Sequence, residues 1–123
     1  MRTRFLLTIL ILVSSIFTFA QDIDLTEQEK EFIASHDTVR VANEMDWPPM
    51  DFVVDGKPSG YSIDLLMKIS ENSGLKIKFV NNLKWSEIID GFKAKQIDIL
   101  PAVYISDERK GFMSFTDSYL RQP

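Results

Sequence analysis

The chain has 123 residues, 45% of them hydrophobic, with 14 basic and 18 acidic side chains, a net charge of −4 and no cysteine. That length limits it to one domain, and the acidic balance excludes nucleic-acid binding, which needs a basic stripe. The absence of thiols excludes disulfides, a lipidated N-terminal cysteine and a cysteine nucleophile.

The first segment is set apart from the rest. Met1-Arg2-Thr3-Arg4 is a short basic start, and Phe5 to Ala20 is nearly continuous apolar sequence. Small residues at Thr18 and Ala20 suit cleavage after Ala20, so residues 1–20 are expected to be a secretory signal peptide. The run is shorter than the roughly 20 residues a spanning helix needs. Its removal takes Arg2 and Arg4, leaving 12 basic against 18 acidic side chains and a net charge of −6. An exported, unlipidated product suits a periplasm.

Residues 21–37 are expected to form an N-terminal lead-in helix, from Asp22 to Asp37. Thr26 with Glu29 three positions on is a capping-box pair. Phe32 and Ile33 are the residues able to dock it. His36, at its end, reads as a partner for the helix dipole or as a solvated side chain.

From residue 38 onward the pattern changes to alternating strands and helices. Val39 and Val41 against Arg40 predict a strand over 38–43. Glu44 to Met50 is irregular, because Pro48 and Pro49 oppose both helix and ladder. Asp51 to Val54 is extended, and residues 55–60 carry turn chemistry. Ile63, Leu66, Met67 and Ser70 share one face of a helix over 62–73, and Gly74 stands at the left-handed position that ends it. Leu75, Ile77 and Phe79 alternate with Lys76 and Lys78, predicting a half-wet strand over 75–80. Trp85, Ile88, Ile89 and Phe92 fall at helical spacing and predict a second amphipathic helix starting near Ser86. Ile97 to Leu100 is a short strand stopped by Pro101, and Met113 to Thr116 is a candidate for one more.

Strand, helix, strand, helix, strand in that order predicts an α/β fold with a mainly parallel sheet and right-handed crossovers. In such sheets ligands sit beyond the carboxyl ends of the strands. Two segments leave strand carboxyl ends without turning at once into a helix: Glu44–Met50 and Pro101–Arg109. With the first strand at the centre, both loops meet at one crevice.

The candidate site residues lie on those loops. Arg109 follows a buried strand and opens a short helix, where a guanidinium can grip a carboxylate through two parallel bonds. The alternative is a solvated helix arginine paired with Asp107 or Glu108. Trp47, a loop aromatic beside two prolines, and Tyr104 are either walls of an apolar slot or plain packing. Glu44, directly after the first strand, either accepts an amine or stands idle. Asp64 complements its helix dipole, and Asp98 is expected to be solvated or bonded to a neighbouring loop. No nucleophile elbow, phosphate loop or metal-ligand cluster is present, no carboxylate pair has a spacing that demands acid/base work, and no cofactor or metal is implied.

Together these stretches resemble a known family. Val39-Arg40-Val41-Ala42 running to Asp46-Trp47-Pro48-Pro49-Met50, then Gly60-Tyr61-Ser62-Ile63-Asp64-Leu65, Trp85-Ser86-Glu87, and Ile97-Asp98-Ile99-Leu100 through Asp107-Glu108-Arg109 to Phe115-Thr116-Asp117-Ser118-Tyr119 are similar to the amino-terminal part of bacterial extracellular solute-binding proteins of family 3. The resemblance implies a periplasmic-binding-protein-like, Venus-flytrap lobe over 38–123, with the second lobe absent. It implies a non-enzymatic binder of a small carboxylated solute, partnered by an ABC permease or by a sensor kinase or cyclase. By that likeness Arg109 matches the arginine that binds the ligand carboxylate, Trp47 the covering aromatic and Glu44 an acidic position facing the ligand side chain. Pro101, Ala102 and Tyr104 fall where amino-acid binders offer small hydroxyls, which this chain lacks; that loop and the opening helix are more like the sensor-type branch. Family members run to about twice this length, so the chain is expected to be a fragment with half a cleft and weak affinity by itself. The same module also occurs in cyclohexadienyl dehydratases and membrane-bound lytic transglycosylases, which leaves the front part of an enzyme as the rival implication.

Overall fold

The computed structural model describes residues 23–121. The expected signal peptide lies outside the described residues. Among those described, no helix is long and apolar enough to cross a membrane.

Helix α1 (Glu27–Ser35) is shorter than the Asp22–Asp37 expected. Thr26 and Glu29 do form the reciprocal cap: Thr26 Oγ1 accepts from Glu29 N at 3.3 Å, and Glu29 accepts from Thr26 N at 2.8 Å. The helix buries none of its residues. Phe32 is not docked in a core but stacks on His36, with ring centroids 3.8 Å apart. His36 Nδ1 lies 2.8 Å from Phe32 O, so the ring serves a carbonyl at the helix C-terminus.

Strand β1 (Val39–Glu44) is the centre of the fold. It pairs in parallel with β5 (Ile77–Leu83), from Val39 opposite Ile77 to Ala42 opposite Val80, with a register shift before Glu44 opposite Leu83. On its other side Ala42 N donates to Ile99 O at 2.9 Å, a single parallel bridge between Val41 and Ile99. The strand expected over Ile97–Leu100 is reduced to that bridge. Asp98 N and Ile99 N both converge on Arg40 O, at 2.8 and 3.1 Å, and Pro101 has no N–H to continue. The candidate strand over Met113–Thr116 is not formed.

Arg40 and Asp98 lock this crossing from the outside. Asp98 remains exposed but is bonded, to Arg40 of β1 rather than to a loop. It takes Arg40 Nη2 at 2.7 Å and Arg40 Nε at 2.8 Å, a fork on both carboxylate oxygens, and Arg40 N at 2.8 Å.

A second, antiparallel sheet of β2 (Asp46–Trp47), β3 (Asp51–Val54) and β4 (Lys57–Ser59) lies beside the first. The prolines therefore stop the ladder only from Pro48 onward, and Trp47 still pairs with Asp51. Asp55 and Gly56, both at positive φ, make the tight turn. Beyond it, part of the expected turn is edge strand β4, where Pro58 needs no donor.

Helix α2 (Tyr61–Ser73) begins one residue earlier than expected and ends at Gly74, whose φ of 76° is left-handed and whose N–H reaches Ser70 O at 2.9 Å. At its start Gly60 holds φ 121°, and a Cβ there would run into the Met50 carbonyl. Strand β5 starts later and runs further than the predicted 75–80. Helix α3 (Trp85–Lys93) follows at once, with Lys84 N donating to Glu87 Oε2 at 2.7 Å. Its Ile88 packs with Ala42 and Ile97, and Val80, Leu83, Trp85, Phe92 and Leu100 close around them. A single turn, α4 (Asp107–Lys110), ends the described elements. The architecture is α/β, with a short parallel sheet flanked by helices.

Two outcomes follow from this frame. Asp98 sits below the ordinary aspartate range, chiefly because Arg40 hydrogen-bonds it. A depressed pKa means stability present above the unfolded value, about 3.9, and lost as pH falls through the folded one. Asp98→Asn is therefore expected to lower the melting temperature at pH 7, with the gap to the parent closing near pH 2, measured by thermal circular dichroism. Gly60→Ala is expected to cost about 1–3 kcal/mol through strain against Met50 O, measured by urea denaturation.

Candidate functional site

Because β1, β5 and the Ile99 bridge all run parallel, their carboxyl ends share one rim. Three exits meet there: Glu44–Met50 from β1, Lys84-Trp85 from β5, and the stretch from Pro101 to Arg109. The first and third do converge as the strand order implies. Trp47 and Tyr104, one from each loop, have ring centroids 5.5 Å apart at an interplanar angle of 44°.

Beside this pair opens a cavity of about 580 Å³ with Trp47, Met50, Ala102, Tyr104 and Tyr119 on its wall. That is within the usual size of small-molecule sites. Ala102 is buried and Tyr104 is 58% exposed, so the loop presents a small floor and a projecting ring. Tyr119 crosses the strand ends, its hydroxyl donating to Pro101 O at 2.8 Å and its ring stacked 6.2 Å from Tyr61.

Arg109 does not line that cavity. It stands on α4, half-buried, and is linked to the aromatic pair through Tyr104: Arg109 Nη1 donates to Tyr104 O at 2.7 Å. Its guanidinium lies over the Trp85 ring, 5.0 Å from the centroid. It pairs with neither Asp107 nor Glu108. Lys110 takes Asp107 at 2.9 Å, and among the described residues no carboxylate lies within ion-pair distance of Arg109. The helix-dipole contribution expected at this point is small, because α4 is one turn and Ser106 Oγ already accepts Arg109 N at 3.3 Å.

Glu44 also stands off the cavity wall, at the end of β1. Its carboxyl is pushed up, first by burial and then by the neighbouring Asp51 and Asp46 carboxylates. The rim is thus divided, with carboxylates around the Trp47 loop and the guanidinium on the Arg109 side. The arrangement offers a cation, an aromatic wall and an anion. Among the described residues no group of three or more His, Asp or Glu could hold a metal ion.

Trp85 was not singled out by its sequence pattern, because it reads as the first apolar position of α3. The signal lay in topology: a tryptophan opening a helix directly after a parallel strand stands on the same rim as the other two loops.

Residues 39–123 match the profile of "Bacterial extracellular solute-binding proteins, family 3". The chain is 27% identical over 118 residues to a probable histidine-binding protein of Campylobacter jejuni, covering 94% of this chain and 46% of that one. It is 30% identical to a point mutant of the arginine-bound form of domain 1 from TmArgBP, with a TM-score of 0.63 over 73% of this chain and 70% of that one. The periplasmic domain of Bordetella pertussis BvgS shares the fold at 24% identity, with a TM-score of 0.72 over 80% of this chain and 19% of that one. The chain spans between 32% and 46% of the length of the curated relatives it matches.

The raised Glu44 carboxyl has a measurable consequence. A group whose folded pKa is raised favours the fold below its unfolded value, about 4.3, and loses that contribution as pH rises through the folded value. Glu44→Gln is expected to raise the melting temperature at pH 7 and leave it unchanged at pH 3, measured by thermal denaturation at both.

Proposed function

Because the chain belongs to the bacterial extracellular solute-binding proteins of family 3, we propose that it captures a small amino acid by its carboxylate on Arg109. The reading rests on one observation: Arg109 is half-buried and held by neutral partners, the Tyr104 carbonyl and the Trp85 face, with its charge unmatched by any described carboxylate. An anion completes such a site through two parallel bonds.

One clamp is not enough. A charge-assisted pair contributes about 1.5–3 kcal/mol, against the roughly 8 kcal/mol of micromolar binding. Stacking between Trp47 and Tyr104, with Ala102 as floor, supplies apolar area. Glu44 faces the amine or a cationic side chain. The histidine-binding and arginine-bound relatives support a cationic amino acid, and the arginine-bound domain 1 supports capture by this lobe.

The family relatives bind solutes, and that supports a non-enzymatic role. His36, the single histidine, is engaged with Phe32 O at the end of α1. Function outside the cytoplasmic membrane follows if residues 1–20 direct export. The captured solute then passes to an ABC importer, or reports to a sensor kinase or cyclase; the probable amino-acid ABC transporter-binding relative of Haemophilus influenzae supports the first context.

Isothermal titration with L-arginine, L-histidine and L-glutamate tests the reading. The expected result is saturable binding of a cationic amino acid, weakened by about 100-fold in Arg109→Ala, the upper range for a charge-assisted bidentate contact. An Arg109→Ala variant that binds like the parent sinks the assignment.

A further inference from the structure

Behind the aromatic rim lies a buried polar knot. Among the described residues the buried polar side chains are Asn43, Asp51 and Ser62, exposed by 0%, 3% and 2%. None of the three lines the cavity. Asn43 Nδ2 donates to Asp51 Oδ1 at 2.6 Å and to the Glu44 and Phe52 carbonyls at 3.2 Å each. Burial pushes the Asp51 carboxyl up, and the neighbouring Glu44 backbone and the Asn43 amide oppose that rise. Asn43 Oδ1 has no partner, so the orientation of this amide rests on Asp51 and the two carbonyls.

These bonds run directly to the rim. Asp51 is the residue opposite Trp47 in the β2–β3 ladder. Next to it, Met50 O accepts Ser62 Oγ at 2.6 Å and Ser62 N at 3.0 Å, and Pro49 O accepts Tyr61 N at 3.0 Å. Helix α2 thus spends its first amides on the far end of the Trp47 loop, while Asp51 ties the near end to β1. A buried carboxylate is costly unless its hydrogen bonds are made. An apolar side chain in the same place would pack against β1, but it would remove the shortest of the three acceptors that hold the Asn43 amide.

We propose that Asp51 is a positioning residue: its carboxylate, by holding Asn43 next to Glu44 while its backbone pairs with Trp47, sets where Glu44 and Trp47 stand at the crevice. The proposal rests on the reading of those two residues as ligand-facing. Asp51 acts on charge as well as place. After burial, Asp51 and then Asp46 raise the Glu44 carboxyl, and Asp51 adds a small upward push to the Tyr119 hydroxyl, which burial chiefly raises.

The chain has two tryptophans, so Trp85→Phe leaves Trp47 as the single indole reporter. In that background Asp51→Asn, which keeps the shape and removes the charge, is compared with its parent by emission maximum and acrylamide quenching, with no ligand present. The expected result is a red-shifted and more readily quenched Trp47, together with a Glu44 titration midpoint moved down toward the ordinary range by NMR. Where L-arginine binds the parent, its affinity falls about tenfold in Asp51→Asn, the size of one charge-assisted hydrogen bond. Unchanged Trp47 emission and quenching overturn the proposal, as does altered emission with unchanged L-arginine affinity. If L-arginine does not bind the parent, the amino-acid reading fails, and the ligand-free quenching still judges Asp51. Should Asp51→Asn lose its far-UV signal, Asn43→Ser removes the same 2.6 Å bond from the other side and decides by the same readout.

Discussion

Everything at the rim depends on the parallel pairing of β1 on both its sides. Val41 has no exposed surface, lies opposite Phe79 on one side and is bridged to Ile99 on the other. A strand so placed cannot shift register without moving Ala42 out of its packing with Ile88 and Ile97. Since all three segments run in the same direction, each must leave at the same end. The crevice is a consequence of that direction, not of any one loop.

The electrostatics of the rim follow from the same frame. Its carboxylates, Glu44, Asp46 and Asp51, come from one continuous piece of chain around β2, whereas Arg109 arrives from a segment some sixty residues later. Only the pairing of β1 with Ile99 brings the two within one site. Arg40 and Asp98, on the outer side of that pairing, neutralise each other completely in geometry, with a fork of two side-chain bonds. Arg109 has the opposite fate: it is oriented by a carbonyl and an indole face, and no described carboxylate stands within ion-pair distance of it. The two arginines of this pairing thus differ in whether a carboxylate stands opposite them.

Local signals were well read where they depend on near neighbours. The Thr26–Glu29 cap, the Gly74 terminus and the amphipathic face of α3 need only residues three or four apart. Strand extents were read less well. Ile97 to Leu100 has the composition of a strand, yet two amides converge on Arg40 O and the ladder stops at one bridge. Pro58 has the composition of a turn, yet sits in an edge strand where a missing donor costs nothing. Phe32 has the composition of a docking residue and instead covers His36. Each of these was decided by a partner distant in sequence or by an edge no local window can identify.

The amino-acid sequence by itself determined the order of elements, the α/β class, and the two loops that had to meet once β1 was central. It also supplied Arg109, Trp47, Tyr104, Ala102 and Glu44 as the residues carried by those loops, since loop membership is a property of position along the chain. Only the tertiary structure decided what each side chain faces. It set Trp85 beneath Arg109, gave Asp98 to Arg40, and buried Asp51 against Asn43. Those assignments are contacts between residues up to 58 positions apart, and they exist only after the strands have closed around β1 and brought those groups together.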